Sequence, residues 1–318
     1  MQRGPAVGAA CGAIAIWSLN AAAGGVALEH LTVLQVLALQ FGGAFLVLGA
    51  ARAFSRNTPA TRGVIGRQAI AIGVVGLTGT IALQYLAFAS APLVAANAIA
   101  YAWPLLAAAW AALAPGARGS RASLAFAVVG FGGVVLLFAA RGGGGASGSA
   151  PMLGYVAALG SAFAMACYTL MAGRSGARTS DLLLIGTGVG ALGTIPAALL
   201  QDAPWSPMWA VALGLGIGVA MLAAGYGLWT RAMAHPAGAR LAPAAYATPL
   251  LSTGLLLGTG QRLSPLGLLG CGLIVLCATG VVLDALPRRD RRARRESAQV
   301  GSACRSGPRR VHVLEVER

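Results

Sequence analysis

The sequence predicts an all-α integral membrane protein whose ten transmembrane helices form two inverted five-helix repeats. Three observations predict it: composition, the spacing of charges, and an echo between the two halves of the chain. Of 318 residues, 57% are hydrophobic and only 10% charged, with a mean hydropathy of +0.75. Soluble globular chains carry roughly 25% charged residues. A buried soluble core cannot account for the difference, because a folded surface still needs polar cover.

The spans follow from the charges. A helix needs about 20 residues to cross roughly 30 Å of hydrocarbon. A charge at mid-membrane costs about 2.5–3.5 kcal/mol, so charges mark helix ends. Arg3 to Glu29 encloses 25 residues and predicts the first span; His30 to Arg52 encloses 21 and predicts the second. The 50 residues between Arg67 and Arg118 predict the third and fourth, with a turn near Ser90-Ala91-Pro92. Arg121 to Arg141 leaves 19 residues for the fifth, and Arg141 to Arg174 leaves 32 for a Gly-rich loop plus the sixth. Asp181 to Asp202 (20), Asp202 to Arg231 (28), Arg240 to Arg262 (21) and Arg262 to Asp284 (21) complete the set. The apolar stretch after Arg3 exceeds a secretory h-region of about 7–15 residues and reads as a retained first helix.

Arginine placement gives orientation. All 23 basic residues are Arg, which with the abundant Ala and Gly fits a GC-rich bacterial genome. With ten spans, one side collects Arg3, Arg52, Arg56, Arg62, Arg67, Arg118, Arg121, Arg174, Arg178, Arg231 and Arg240, against Arg141 and Arg262 on the other. The positive-inside rule then puts both termini in the cytoplasm of a multi-pass protein of the bacterial inner membrane. The net charge of +15 is a topogenic signal and not a nucleic-acid footprint, since ten arginines lie between Arg288 and Arg318 and most others sit between apolar runs. That tail lacks apolar periodicity and reads as disordered, with anionic lipid as the partner its arginines could attract. The five cysteines have no ligand spacing and read as small core residues; no metal or cofactor is expected.

The halves echo each other. Tyr101-Ala102-Trp103-Pro104-Leu105-Leu106 recurs as Tyr246-Ala247-Thr248-Pro249-Leu250-Leu251, an offset of 145. At the same offset Ala87-Phe88-Ala89 answers Ala232-Met233-Ala234, and Trp17-Ser18-Leu19 answers Tyr168-Thr169-Leu170 at 151. Because five is odd, the second half enters the membrane inverted, and such carriers place solute near mid-membrane between the repeats. The predicted organisation is a first repeat at 1–140, a Gly-rich external loop at 141–151, a second repeat at 152–286 and a basic cytoplasmic tail at 287–318. With Trp17, Ser18 and Asn20 in the first span and Pro104 and Pro249 in the fourth and ninth, the chain resembles the drug/metabolite transporter superfamily, EamA type. The Tyr-x-Trp-Pro-Leu-Leu and Tyr-x-Thr-Pro-Leu-Leu-Ser-Thr stretches resemble its aromatic amino acid exporter branch. The resemblance covers about residues 5–286 and implies secondary transport without ATP. It departs from the family where Gly-Glu often follows the fourth and ninth spans. Here those positions read Pro115-Gly116-Ala117 and Gly260-Gln261-Arg262.

Polar and aromatic side chains deep in spans are the candidate solute contacts: Trp17, Asn20, Gln84, Asn97, Tyr101, Trp103, Tyr168, Trp229 and Tyr246. Asn97, Tyr101 and Pro104 fall on one helical stripe. Pro104 and Pro249 are expected to kink their helices and bare the carbonyls of Ala100 and Ala245. Each has a structural alternative. A lone Asn or Gln in a span also serves as interhelical glue, Tyr and Trp near helix ends anchor at the interface (as expected for Trp205 and Trp209), and Pro shapes packing. Gly8/Gly12, Gly186/Gly190, Gly214/Gly218 and Gly254/Gly258 read as close-packing faces.

No Asp, Glu, Lys or His falls in mid-span, so neither an acid/base pair nor a carboxylate proton relay is evident. The expectation is a non-enzymatic carrier that exports neutral or zwitterionic metabolites such as amino acids by alternating access. An intramembrane lipid-modifying enzyme, or a non-transporting subunit on a transporter fold, is the alternative. No pattern sets an oligomeric state.

Overall fold

A computed structural model describes residues 4–54, 66–91, 93–113, 121–140, 151–235, 238–257 and 264–285. The chain divides into Met1–Ala285, which contains all of these, and Leu286–Arg318. Arg3, Arg56, Arg62, Arg118, Arg141, Arg262, the Gly-rich loop at 141–150, Cys304 and the tail lie outside the described residues.

The described chain is helical throughout. In order it forms α1 (Gly4–Ser18), α2 (Asn20–Leu28), α3 (Val33–Phe54), α4 (Arg67–Ser90), α5 (Leu93–Ala100), α6 (Trp103–Leu113), α7 (Arg121–Ala140), α8 (Pro151–Met171), α9 (Thr179–Leu199), α10 (Met208–Ala234), a 3-10 segment (Gly238–Tyr246), α11 (Ala247–Leu257) and α12 (Pro265–Ala285). Among the described residues, eight helical segments are long and apolar enough to cross a membrane, one of them Ala95–Leu113 across α5 and α6, and α1 is a shorter apolar helix. The predicted first span is interrupted at Leu19, where α1 ends and α2 begins. The fourth span breaks at Tyr101–Ala102.

Local chemistry explains the ends. Thr32 and Gln35 form a capping box at α3: the Thr32 hydroxyl accepts from the Gln35 amide (3.2 Å), and Gln35 Oε1 accepts from the Thr32 amide (2.8 Å). Gln35 Nε2 then donates to the carbonyls of Ala203 and Pro204, both at 3.2 Å, tying α3 to the loop before α10. Asp181 in the first turn of α9 suits the helix dipole and meets Arg52 at 3.7 Å.

The main helix pairings are α7 with α12, α4 with α8, α3 with α9, α3 with α10, α1 with α10 and α4 with α9, and α6 packs on the 3-10 segment. Small residues set the approach. A Cβ on Gly186 would lie 2.6 Å from the Gly73 carbonyl, one on Gly190 would enter the Phe41 ring, and one on Gly218 would strike the Gln40 backbone. Gly186/Gly190 and Gly214/Gly218 are therefore close-packing faces. Gly8 and Gly254 are not, since nothing lies within 4 Å of an added Cβ there, and Gly258 lies outside the described residues. Of the cysteines, Cys277 is buried but Cys11 is exposed, which corrects the expectation of a core role for it. Leu46, Leu192, Leu199, Leu268 and Leu269 project outward from α3, α9 and α12, faces that hydrocarbon would satisfy.

Two helices depart from α geometry. Ile72–Gly79 within α4 and Val219–Gly225 within α10 are π-helical. Such wide turns concentrate at functional sites.

Candidate solute-binding cavity

The π turn of α10 contributes Met221 and Leu222 to the wall of a cavity with two lobes. The inner lobe holds about 120 Å³ and the other about 280 Å³. Trp17, Asn20, Gln84, Tyr85, Tyr101 and Thr248 line both, so the lobes share a wall. Trp103, Gln40, Ser161, Met221 and Tyr226 close the first lobe. Leu28, Phe88, Asn97 and Ser252 line the second, toward the Leu28 and Ser90 ends of α2 and α4.

Each wall residue is held in place. Trp17 sits at the last turn of α1 and donates through Nε1 to the Met221 carbonyl (3.3 Å), over the π turn of α10. Gly225 makes room for it, because a Cβ there would lie 2.6 Å from Trp17 Nε1. Gln40 Nε2 donates to the Tyr85 hydroxyl at 2.9 Å, and the Ser161 hydroxyl donates to the Thr80 carbonyl at 2.8 Å. Asn20 opens α2 at the break, and its Oδ1 is buried without a partner. A buried acceptor left empty is unfavourable by about 1–3 kcal/mol. Among the described residues, the lining of both lobes contains aromatic rings, amides and hydroxyls and no Asp, Glu, Arg or His.

Beside the first lobe lies an aromatic layer. Trp17 meets Tyr226 edge-on at 5.2 Å and Trp229 at 5.4 Å; Trp103 meets Trp229 at 5.5 Å, and Tyr168 meets Tyr226 at 5.3 Å. Trp229 Nε1 donates to the Thr169 hydroxyl (3.1 Å). The Thr230 hydroxyl donates to the Tyr226 carbonyl (2.8 Å), which leaves it to accept from Tyr168 (2.7 Å). Such edge-to-face pairs add about 0.5–1.5 kcal/mol each beyond area burial.

Of the residues singled out from sequence, Trp17, Asn20, Gln84, Asn97, Tyr101 and Trp103 line the cavity. Tyr168, Trp229 and Tyr246 are not among its lining; each is 0% exposed. The prolines differ from expectation. Pro104 follows the break at Tyr101–Ala102 in the first turn of α6, and Pro249 falls in the first turn of α11 after the 3-10 segment. Each begins a helix instead of bending one, because the first turn is where a missing N–H is not needed. Gln40, missed in the sequence reading, is a polar group in mid-span and meets the same criterion as Gln84.

Residues 4–139 match the EamA-like transporter family. The aromatic amino acid exporter YddG of Ancylobacter novellus is 31% identical over 221 residues, 68% of this chain and 76% of that protein. The chain belongs to the EamA-like transporter family. A solved crystal structure also superposes with a TM-score of 0.75 at 26% identity, covering 91% of this chain and 100% of that one. An EamA-like chain is a multi-pass membrane transporter of small metabolites.

Proposed function

We propose that this transporter exports amino acids with aromatic side chains across a bacterial inner membrane, by alternating access between two inverted five-helix repeats, 1–140 and 152–286. The observation that carries the reading is the cavity: a wall of Trp17, Tyr101, Trp103 and Tyr226 for a ring, with uncharged amides and the unpartnered Asn20 Oδ1 for a zwitterion's ammonium. The name of the A. novellus relative agrees with that choice.

The packing supports ten spans in two repeats. Counting α1–α2 as the first span and the 3-10 segment with α11 as the ninth, exchange of each span with its counterpart five later returns the same pairings. The second-with-seventh, fourth-with-ninth and fifth-with-tenth pairs map onto themselves, and first-with-eighth becomes sixth-with-third. The π turns recur in the third and eighth spans, and the chain breaks before Trp103 and before Ala247. With both termini cytoplasmic, the larger lobe runs toward the periplasm, making this an outward-facing state.

Counterflow of labelled L-phenylalanine in proteoliposomes tests the function: saturable uptake is expected, and none with any aromatic amino acid would refute it. Reporter fusions after Arg141 and after Arg288 test the topology, with opposite sides expected.

A further inference from the structure

Three residues that sequence singled out are buried away from the cavity, and each is the repeat counterpart of one that lines it. Tyr168 answers Trp17 at the offset of 151, and Tyr246 answers Tyr101 at 145. In the register set by Ala87-Phe88-Ala89 and Ala232-Met233-Ala234, Trp229 answers Gln84. Trp17, Gln84 and Tyr101 are partly exposed on the cavity wall, whereas Tyr168, Trp229 and Tyr246 are fully buried.

Their seats correspond as well. Trp17 of α1 rests on the π turn of α10, over Met221 and Gly225. Tyr168 of α8 rests on the π turn of α4, where a Cβ on Gly76 would lie 2.9 Å from its ring. In the 145 register Gly76 answers Met221 and Thr80 answers Gly225. One corner of the pair is open and the other shut.

In a protein of inverted repeats, the two repeats exchange conformations when access switches from one face to the other. We infer that Tyr168, Trp229 and Tyr246 form the solute-contacting wall of a second cavity, open to the opposite membrane face, in which Trp17, Gln84 and Tyr101 become the sealed layer. This rests on the inverted-repeat reading of function given above. The bonds now holding the shut corner are few: Trp229 to Thr169, and Tyr168 to Thr230. Neutral hydrogen bonds of this kind each contribute about 1 kcal/mol net, beside the ring contacts of Trp229 and Tyr168. The same class of solute fits the hidden wall, since its exposed surface would consist of one indole, two phenols and threonine hydroxyls. The inward wall would thus offer an indole where the outward wall offers the Gln84 amide.

The experiment uses the full chain in membrane vesicles, with Cys11, Cys167, Cys271, Cys277 and Cys304 replaced and single cysteines introduced as Trp17→Cys, Tyr101→Cys, Tyr168→Cys and Tyr246→Cys. Thr169→Cys and Thr230→Cys, close to isosteric, cover the case in which loss of a large ring unfolds a helix. An impermeant thiol reagent is applied to each face in turn, with L-phenylalanine gradients in both directions. Positions 17 and 101 should label from one face, and 168, 246, 169 and 230 from the other, each with at least about a tenfold preference. Reversing the gradient should shift labelling reciprocally between the two sets. Failure of the parent chain to carry out phenylalanine counterflow overturns the exporter reading alone, because the labelling pattern, read also without any gradient, still decides the inference. Labelling of 17 and 101 with none at 168, 169, 230 or 246 from either face would overturn it.

Discussion

The seam between α3 and α9 and the wall of the cavity are built from the same Ala-, Gly- and Leu-rich sequence, yet they differ in every other respect. The seam is continuous α-helix on both sides, packed through Phe41 on Gly190 and Phe45 on Gly188. It is fastened at one end by Thr32 to Gln201 at 2.7 Å and at the other by Arg52 to Asp181. The wall is assembled where helices fail: the break at Leu19, the turn at Tyr101–Ala102, the 3-10 segment and the π turn of α10. Irregular backbone within a membrane is tolerated where it faces protein or a wet cavity. Regular helix thus forms the frame, and irregular helix lines the cavity.

The largest expected effect breaks the seam. Gly190→Leu would drive a branched side chain into the buried Phe41 ring. Overpacking typically costs about 1–3 kcal/mol, and the tight approach here puts the penalty at the top of that range or above. Thermal unfolding in detergent should show a sharply lowered midpoint or no folded protein; an unchanged midpoint would mean the seam is loose.

On the wall, Trp103→Ala removes an edge-on partner of Trp229 and part of the inner lobe. Transport should fall about tenfold, corresponding to about 1.4 kcal/mol, while insertion is retained. Gln40→Leu leaves the buried Tyr85 hydroxyl without its amide donor and should lower transport by about fivefold with a small change in melting. Equal loss of folding and transport in either variant would assign these side chains to the frame. Pro104→Ala and Pro249→Ala restore an N–H in the first turn of α6 and α11. Turnover should change by about two- to threefold with KM less affected, and the double variant should be worse than either alone. The smallest effect returns to the seam: Arg52→Ala removes an ion pair whose Arg side chain is 43% exposed, and should alter stability by under about 1 kcal/mol.

Much of the frame is legible in sequence because charge spacing and crossing length are physical constraints on every span. Interruptions are less legible. The break at Leu19 carries neither charge nor proline, and the π turns lie in Gly- and Ala-rich runs whose pattern is the same as that of ordinary α-helix. Pro104 and Pro249 mark the right places but say nothing of whether the chain bends or restarts. At the site, depth in the span brings out Trp17, Asn20, Gln84 and Tyr101. The same criterion brings out Tyr168, Trp229 and Tyr246, which the structure buries, because depth in a span does not say which face of the helix is packed.

The Gln35 amide has a further consequence for how the chain is made. Its two acceptors, Ala203 and Pro204, lie 168 and 169 residues later. The partners of α1, α3 and α4 (α10, α9 and α8) likewise emerge from the ribosome only after α7 is complete. At synthesis rates of about 5–20 residues per second, α3 waits on the order of ten seconds or more in the bilayer with a buried-to-be amide unsatisfied. The first half cannot settle early as an independent unit, and its assembly is dominated by contacts of long sequence separation, the kind that slow folding. A chain truncated near residue 140 would be left with glycine faces and a polar glutamine turned to lipid, a substrate for membrane quality control and not a half-transporter.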